Sequence, residues 1–273
     1  MTIQEVIQFA TDNGVDVLDA ELLLANVLEI QQSFILAHEE AELTEPQEKS
    51  IKELLAQRSR HVPLAYLVGT KEFFNLPIQV NEQVLVPRPE SEEAIEWILK
   101  KAKSQVVDSI LDVGTGSGAL ACALAKNLPQ STVTAIDTKE KILDVARGNA
   151  KNLGLTNIEF KKSNLLEGLD EEQKLDVIIA NLPYLNPEWQ RDPSTQHEPA
   201  AALYAEENGL GLYKKLLGTL RGHLKENSFG IFEADPRNAS ELQEITKKAL
   251  PHSKVELKED GASLPRFVTF EKS

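Results

Sequence analysis

From Ser109 to Phe270 the chain alternates short β-branched or aromatic runs with amphipathic stretches, and few architectures accept that rhythm. Strand-like runs fall at 109–113, 132–136, 158–160, 177–180, 230–233, 254–257 and 267–270. Helical periodicity occupies most of the gaps, at 119–127, 141–152, 210–224 and 240–250. Such alternation predicts an α/β fold with a parallel sheet covered by helices on both faces, since each parallel crossover must leave the sheet and return across it. Val177, Ile178 and Ile179 are continuous and β-branched, as a strand buried on both faces requires. No helix separates the last two strands, and Asp260-Gly261 is a turn signal, so these two are expected as an antiparallel hairpin at one edge.

The preceding residues follow a different rule. The first sixty or so predict four short amphipathic helices. Thr2 and Glu5 have the spacing of a capping box, in which hydroxyl and carboxylate each satisfy an orphan amide. Val17, Leu18, Leu22, Leu24, Ala25 and Leu28 recur at helical spacing, and Phe34, Ile35 and His38 belong to a short third helix. A fourth begins at Thr44 with Pro46 in its first turn and Gln47 as box partner, and presents Ile51, Leu54 and Leu55. Residues 63–88 read instead as short strands broken by Asn75, Pro77 and Asn81. The predicted organisation is a helical domain at 1–70, a β-hairpin linker at 71–88 and an α/β domain at 89–273.

Composition narrows the function classes. With 41% hydrophobic and 26% charged residues and no apolar run near the roughly 18 residues of a membrane span, the chain reads as soluble and globular. Met1-Thr-Ile-Gln-Glu5 lacks a basic segment, so no secretory signal is expected, and a cytoplasmic location is. The lone Cys122 excludes an internal disulfide and a cysteine zinc cluster. His38 and His61 lack metal-ligand spacing and read as structural or surface residues, and no metal is expected. With 43 acidic and 29 basic residues the net charge is −14, which argues against a stable nucleic-acid partner, because such binding rests on Lys and Arg neutralising phosphates.

Two stretches carry chemistry. In the first, Ile110-Leu-Asp-Val-Gly-Thr-Gly-Ser-Gly118, a strand runs into three alternate glycines and then a helix, where backbone can approach a ligand at the helix N-terminus. Gly114, Gly116 and Gly118 are spaced Gly-x-Gly-x-Gly, which is not the dinucleotide fingerprint, so a pyrophosphate is not the natural occupant. Asp137 closes the next strand, 23 residues after Gly114, the usual place for an acid that binds ribose hydroxyls. A ribose without a pyrophosphate points to S-adenosyl-L-methionine. In the second stretch, Asp176–Tyr184, the strand stops at Asn181-Leu182-Pro183-Tyr184, which puts a carboxamide and an aromatic ring where open α/β sheets bind ligands. Asn and Pro are also ordinary turn residues.

Taken with Val86-Pro-Arg-Pro-Glu-Ser-Glu92, His197-Glu-Pro199, Ala202-Leu203 and Asn208-Gly-Leu210, these stretches resemble the HemK/PrmC family of protein-glutamine methyltransferases along nearly the whole chain. The resemblance implies a Rossmann-like, seven-stranded class I methyltransferase domain behind a helical substrate-docking domain. The implied reaction is methyl transfer from S-adenosyl-L-methionine to the side-chain amide nitrogen (N5) of the glutamine in the Gly-Gly-Gln loop of peptide chain release factors. It also implies cofactor contacts from Asp112, Gly114, Thr115, Gly116, Gly118, Asp137, Asn164, Leu165 and Asn181. Asn181, the backbone carbonyl of Leu182, Pro183 and Tyr184 are then the catalytic and substrate-binding group, joined by Arg88 and Glu198 on the substrate side.

Two departures stand out: the family has Asn-Pro-Pro-Tyr where this chain has Leu182, and usually an Asp where Asn164 stands. Leu182 keeps its carbonyl and Pro183 keeps Leu182 extended, so activity is expected to survive. A monomer is expected. The competing readings are methylation of an exocyclic amine in DNA or RNA, for which Tyr184 would stack on a flipped base, and a cofactor-binding interaction protein that has lost catalysis.

Overall fold

The computed structural model describes the 273-residue chain except residues 171, 190–192 and 273 and the side chain of Ser194. The chain divides into two compact units, Met1–Thr70 with Arg191–His197, and Lys71–Gln190 with Glu198–Ser273.

The first unit holds α1 (Ile3–Asp12), α2 (Val17–Leu28), α3 (Gln32–Ala37), α4 (Glu45–Arg58) and α5 (Leu64–Val68). Both capping boxes form: the Glu5 N–H donates to Thr2 Oγ1 at 3.2 Å, and the Thr44 N–H to Gln47 Oε1 at 2.9 Å. Ile3, Val6, Leu23, Leu24, Ile35, Ile51 and Leu55 build one core. Periodicity misassigned one side of α2. Val17 and Leu18 are exposed, and the face turned to the core carries Ala20, Leu23 and Leu24. Periodicity also missed α5. Residues 64–68 read as extended, yet Gly69, at φ +83°, ends a helical turn there and donates to the Ala65 carbonyl at 2.8 Å.

A two-stranded hairpin follows, β1 (Thr70–Phe73) and β2 (Leu76–Gln79). Phe74 and Asn75 both have positive φ, 48° and 57°, as a two-residue hairpin loop with the twist of its strands demands. Residues 80–88 run on without strand pairing, although Val80, Val84 and Val86 are buried.

The rest of the second unit is α6 (Ser91–Ala102), β3 (Ser109–Val113), α7 (Ala119–Asn127), β4 (Thr132–Asp137), α8 (Glu140–Asn152), β5 (Ile158–Lys162), β6 (Leu175–Ala180), α9 (Ala200–Leu203), α10 (Glu206–Gly209), α11 (Gly211–Leu220), β7 (Leu224–Glu233), α12 (Ala239–Ala249), β8 (Ser253–Glu259) and β9 (Pro265–Lys272). The sheet has seven strands in the order β5-β4-β3-β6-β7-β9-β8, parallel through β7, with β9 antiparallel to both neighbours. The expected α/β fold and its antiparallel edge are present. Leu111, Val113, Ile178 and Phe232 face one core with Leu216 and Leu220 of α11 and Leu242 of α12. Alternate residues face α6 and its neighbours, where Trp97 meets Phe229 edge-on with ring centroids 5.6 Å apart. The chain leaves β3 toward β4 and β5, then returns to β6 on the other side of β3. The carboxyl ends of β3 and β6 therefore flank the topological switch point, where such sheets open a crevice.

Candidate active site

A cavity of about 180 Å³ occupies that crevice. Gly114, Thr115 and Gly116 after β3, Asp137 at the end of β4, Asn164 and Leu165 after β5, and Asn181, Leu182 and Pro183 after β6 all line it. Arg88 and Ser91 close it from the start of α6, and Pro199 and Ala202 from the segment before and within α9.

The glycine loop leaves room for a ligand and also packs tightly on β6. Gly114 has φ +73°, and a Cβ there would lie 2.9 Å from Leu182 Cδ2. A Cβ on Gly116 would meet nothing nearer than 4.0 Å, so the backbone there faces open space. Asp137 Oδ2 accepts from the Gly116 N–H at 3.2 Å and its Oδ1 from the Thr138 N–H at 2.7 Å, tying the end of β4 to the loop. Asp112 does not line the cavity. It lies fully buried under the loop, where its Oδ2 accepts from the Thr115 hydroxyl at 2.6 Å and its Oδ1 has no hydrogen-bond partner. Burial pushes the Asp112 carboxyl up to about 7, and the nearby Asp137 charge adds to the rise; burial raises Asp137 as well. Desolvation thus favours the protonated form of both carboxyls, and of the two only Asp137 lines the cavity.

Ser163 precedes Asn164 and Leu165 along the cavity wall, and its hydroxyl donates to the Leu165 carbonyl at 2.6 Å. Leu165 has φ +52°, and Asn164 Nδ2 donates to Glu167 Oε1 at 2.9 Å. Arg88 Nη2 donates to Glu198 Oε1 at 2.7 Å, and the Glu198 side chain is completely buried. Arg88 is therefore held at the cavity wall, and Glu198 stands behind it.

Asn181 follows the last residue of β6. Its Nδ2 donates to Ser91 Oγ at 3.1 Å, and Ser91 Oγ donates to Glu233 Oε2 at 2.5 Å. The register that sets Ala180 opposite Phe232 brings Asn181 level with Glu233, on the face that meets α6. Tyr184 does not line the cavity: its hydroxyl donates to Glu233 Oε1 at 3.3 Å, and burial raises its phenol far above the usual range. The Tyr184 carbonyl accepts from Asn238 Nδ2 at 3.0 Å, and this close approach leaves no space for a side chain on Gly209.

Sequence reasoning assigned no role to Ser91, Tyr213 or Glu233. Glu233 had a usable signal, an acid ending the apolar run Gly230-Ile-Phe, the same signal that marked Asp137. Tyr213 had none, since an aromatic at helical spacing is an ordinary core residue.

A seven-stranded sheet with a glycine loop, an acid on the next strand and a cavity at its switch point is the arrangement of a methyltransferase domain, and the family model described as a methyltransferase domain matches residues 105–261. A second model, the PrmC N-terminal domain, matches residues 3–69. The release factor glutamine methyltransferase of Streptococcus pneumoniae is 36% identical over 238 residues, 86% of this chain and 84% of its own. That of Bacillus cereus is 32% identical over 279 residues, 98% of either chain. The chain belongs to the release factor glutamine methyltransferase (HemK/PrmC) family. Among solved structures, the ribosomal protein L11 methylase of Lactobacillus delbrueckii subsp. bulgaricus aligns with a TM-score of 0.53 at 21% identity, over 72% of this chain and 86% of that one, a likeness of fold.

Proposed function

We infer that the protein transfers a methyl group from S-adenosyl-L-methionine to the side-chain amide nitrogen (N5) of the glutamine in the Gly-Gly-Gln motif of peptide chain release factors. Family membership supports the reaction. The observation that carries it to residues is that Asn181, Leu182 and the glycine loop line one cavity. When bound, the cofactor supplies a methyl group activated on a positively charged sulfur.

The cavity residues fit that group. Gly116 would admit it against the backbone, Asp137 at the cavity wall would accept from ribose hydroxyls, and Asp112 beneath the loop would hold Thr115 in place. Asn164 and Leu165 would hold the adenine end, where the Asn164 side-chain carbonyl could accept from an amine.

An amide nitrogen is a poor nucleophile because its lone pair is delocalised into the carbonyl. Asn181 Oδ1 and the Leu182 carbonyl accept the two N–H groups of the target amide. They thereby orient its lone pair and stabilise positive charge that develops on nitrogen, the cationic counterpart of an oxyanion hole. Holding the reactants at near-attack distance supplies up to about 7–11 kcal/mol in favourable cases. Pro183 keeps Leu182 extended so that its carbonyl stays presented. Arg88, braced by Glu198, contacts the substrate loop. Tyr184 supports the site from behind through Glu233. The methylated nitrogen loses its proton to water.

The helical unit is the docking element for the release factor, and exposed Leu18, Phe34 and Leu36 offer it apolar contacts. Among the described residues no helix is long and apolar enough to cross a membrane; a release factor as substrate supports a cytoplasmic reaction.

The test is transfer of tritiated methyl from S-adenosyl-L-methionine to a release factor, beside its Gly-Gly-Ala variant and a nucleic-acid sample. Label on the wild-type factor alone is expected. Label on nucleic acid, or none on any acceptor despite cofactor binding, overturns the reading.

A further inference from the structure

A carboxamide presents its oxygen or its nitrogen depending on a rotation that costs little by itself. Only the oxygen end of Asn181 can accept a substrate N–H. Something must choose between the two ends, and the hydrogen bonds behind Asn181 have the direction needed to do so. An ionised Glu233 has no proton to offer, so the Ser91 hydroxyl donates to Glu233 Oε2 at 2.5 Å. With its single proton committed, Ser91 Oγ can only accept on its other side. Its partner there is Asn181 Nδ2, at 3.1 Å. The nitrogen is thus turned inward and Oδ1 is left for the cavity.

We propose that Ser91 and Glu233 are positioning residues that set the polarity of Asn181, holding its carboxamide oxygen toward the reacting nitrogen through a directed hydrogen-bond relay. This rests on the reading of the site as a glutamine methyltransferase.

Neither residue touches the reacting atoms in this account; both act through Asn181. Glu233 is 3% exposed and Ser91 4%, so bulk water does not compete for either bond. The groups facing Glu233 come from four elements: Ser91 on α6, Glu90 before α6, Tyr184 after β6 and Arg266 on β9. Burial raises the proton affinity of Glu233 and Glu90 adds to this, while Ser91, Arg266 and Tyr184 oppose it. Protonation reverses the relay. A neutral Glu233 can donate to Ser91 Oγ, which frees the Ser91 proton to meet a flipped Asn181 with its nitrogen toward the cavity. Acid should therefore silence turnover through Glu233 at a pH above the ordinary carboxylate range.

The experiment compares the full-length wild type with Ser91→Ala, Ser91→Thr, Glu233→Gln and the Ser91→Ala/Glu233→Gln double variant. Steady-state methyl transfer to the release factor is measured across pH, with cofactor affinity by calorimetry as the control for an intact fold. Ser91→Ala and Glu233→Gln are expected to lower kcat on the order of 10- to 100-fold with acceptor KM little changed, as for a misplaced reacting group. Ser91→Thr, which keeps the hydroxyl, restores most of the rate. The double variant is no worse than either single one, and the acid limb of the wild-type kcat profile vanishes in Ser91→Ala. A wild-type kcat in Ser91→Ala, a loss confined to KM, or losses that multiply in the double variant overturns the relay.

A second readout needs no acceptor. The side-chain amide signals of Asn181 in nitrogen-15 NMR should shift and exchange faster in Ser91→Ala, and should titrate with Glu233 in the wild type. Unchanged signals overturn the relay even where methyl transfer succeeds. A wild type that labels no glutamine overturns the functional reading instead, and the NMR measurement still decides the relay.

Discussion

The backbone N–H of Leu182 donates to the hydroxyl of Tyr213 at 3.2 Å, and that hydroxyl lies 2.6 Å from the Glu233 carbonyl. One fully buried phenol on α11 therefore joins the ends of β6 and β7, and it does so at the residue where the family carries a proline. A proline has no N–H to give, so this bond exists because residue 182 is a leucine. Loop rigidity that a proline would supply through its ring is supplied here by a hydrogen bond from the scaffold.

Tyr213→Phe should destabilise the fold by about 1–3 kcal/mol, the cost of leaving buried backbone groups unpaired, and should lower kcat. Leu182→Pro should cost stability in the wild type and much less in Tyr213→Phe, where the bond is already gone. Urea unfolding of the four proteins of this double-mutant cycle measures the coupling; additive losses would show that the bond contributes nothing.

Asp112 makes stability depend on pH. Its carboxyl is raised to about 7 in the fold, against about 3.9 in an unfolded chain. Between those values the folded protein holds a proton that the unfolded chain has lost, so stability falls as pH rises through the window. The drop is a few kcal/mol at most, at about 1.4 kcal/mol per pH unit. Asp112→Asn should flatten thermal midpoints measured from pH 4 to 8, with its largest gain over wild type at the alkaline end. A wild-type midpoint that climbs across this range as steeply as that of the variant would contradict the assignment.

Arg88 and Glu198 form a pair in which the carboxylate side chain is fully buried and the arginine is 33% exposed. Removing one partner of a buried pair costs about 3–5 kcal/mol; solvent at the arginine reduces this to about 2 kcal/mol. Arg88→Ala should lower the denaturation midpoint accordingly, and adding Glu198→Gln should recover most of the loss, because the stranded charge is then gone. Activity should not return with stability if Arg88 also contacts the substrate.

Gly209→Ala should be among the most damaging single methyl additions. Its φ of +81° disfavours any side chain, and a Cβ would overlap the Tyr184 carbonyl. Tyr184 must then move, and with it the loop that presents the Leu182 carbonyl. The expected result is a loss of kcat on the order of 100-fold with cofactor affinity largely retained, read by methyl transfer and calorimetry. Full activity would show that the loop tolerates displacement.

Much of this protein was legible in its residues. The period of the apolar pattern determined seven strands and their edge hairpin, because alternation and helical spacing are local consequences of burying one face. Of the residues singled out for a ligand, Gly114, Gly116 and Asp137 line the cavity, whereas Gly118 packs against Ala146 of α8, a contact no local pattern announces. Other features had no local signature. Residues 64–68 formed a helix against their apparent pattern. Tyr184, a natural candidate for the cavity by its place in the Asn181 motif, turned away to Glu233.

The parts that only the tertiary structure decided are those made by register and approach between distant elements. Ser91 and Asn181 are 90 residues apart, and Ser91 and Glu233 142. No spacing rule relates them until β6 and β7 pair and α6 packs across their ends. Hydrogen-bond direction at Asn181 depends on all three arriving together, so a sequence can name the carboxamide but not say which of its ends faces the ligand.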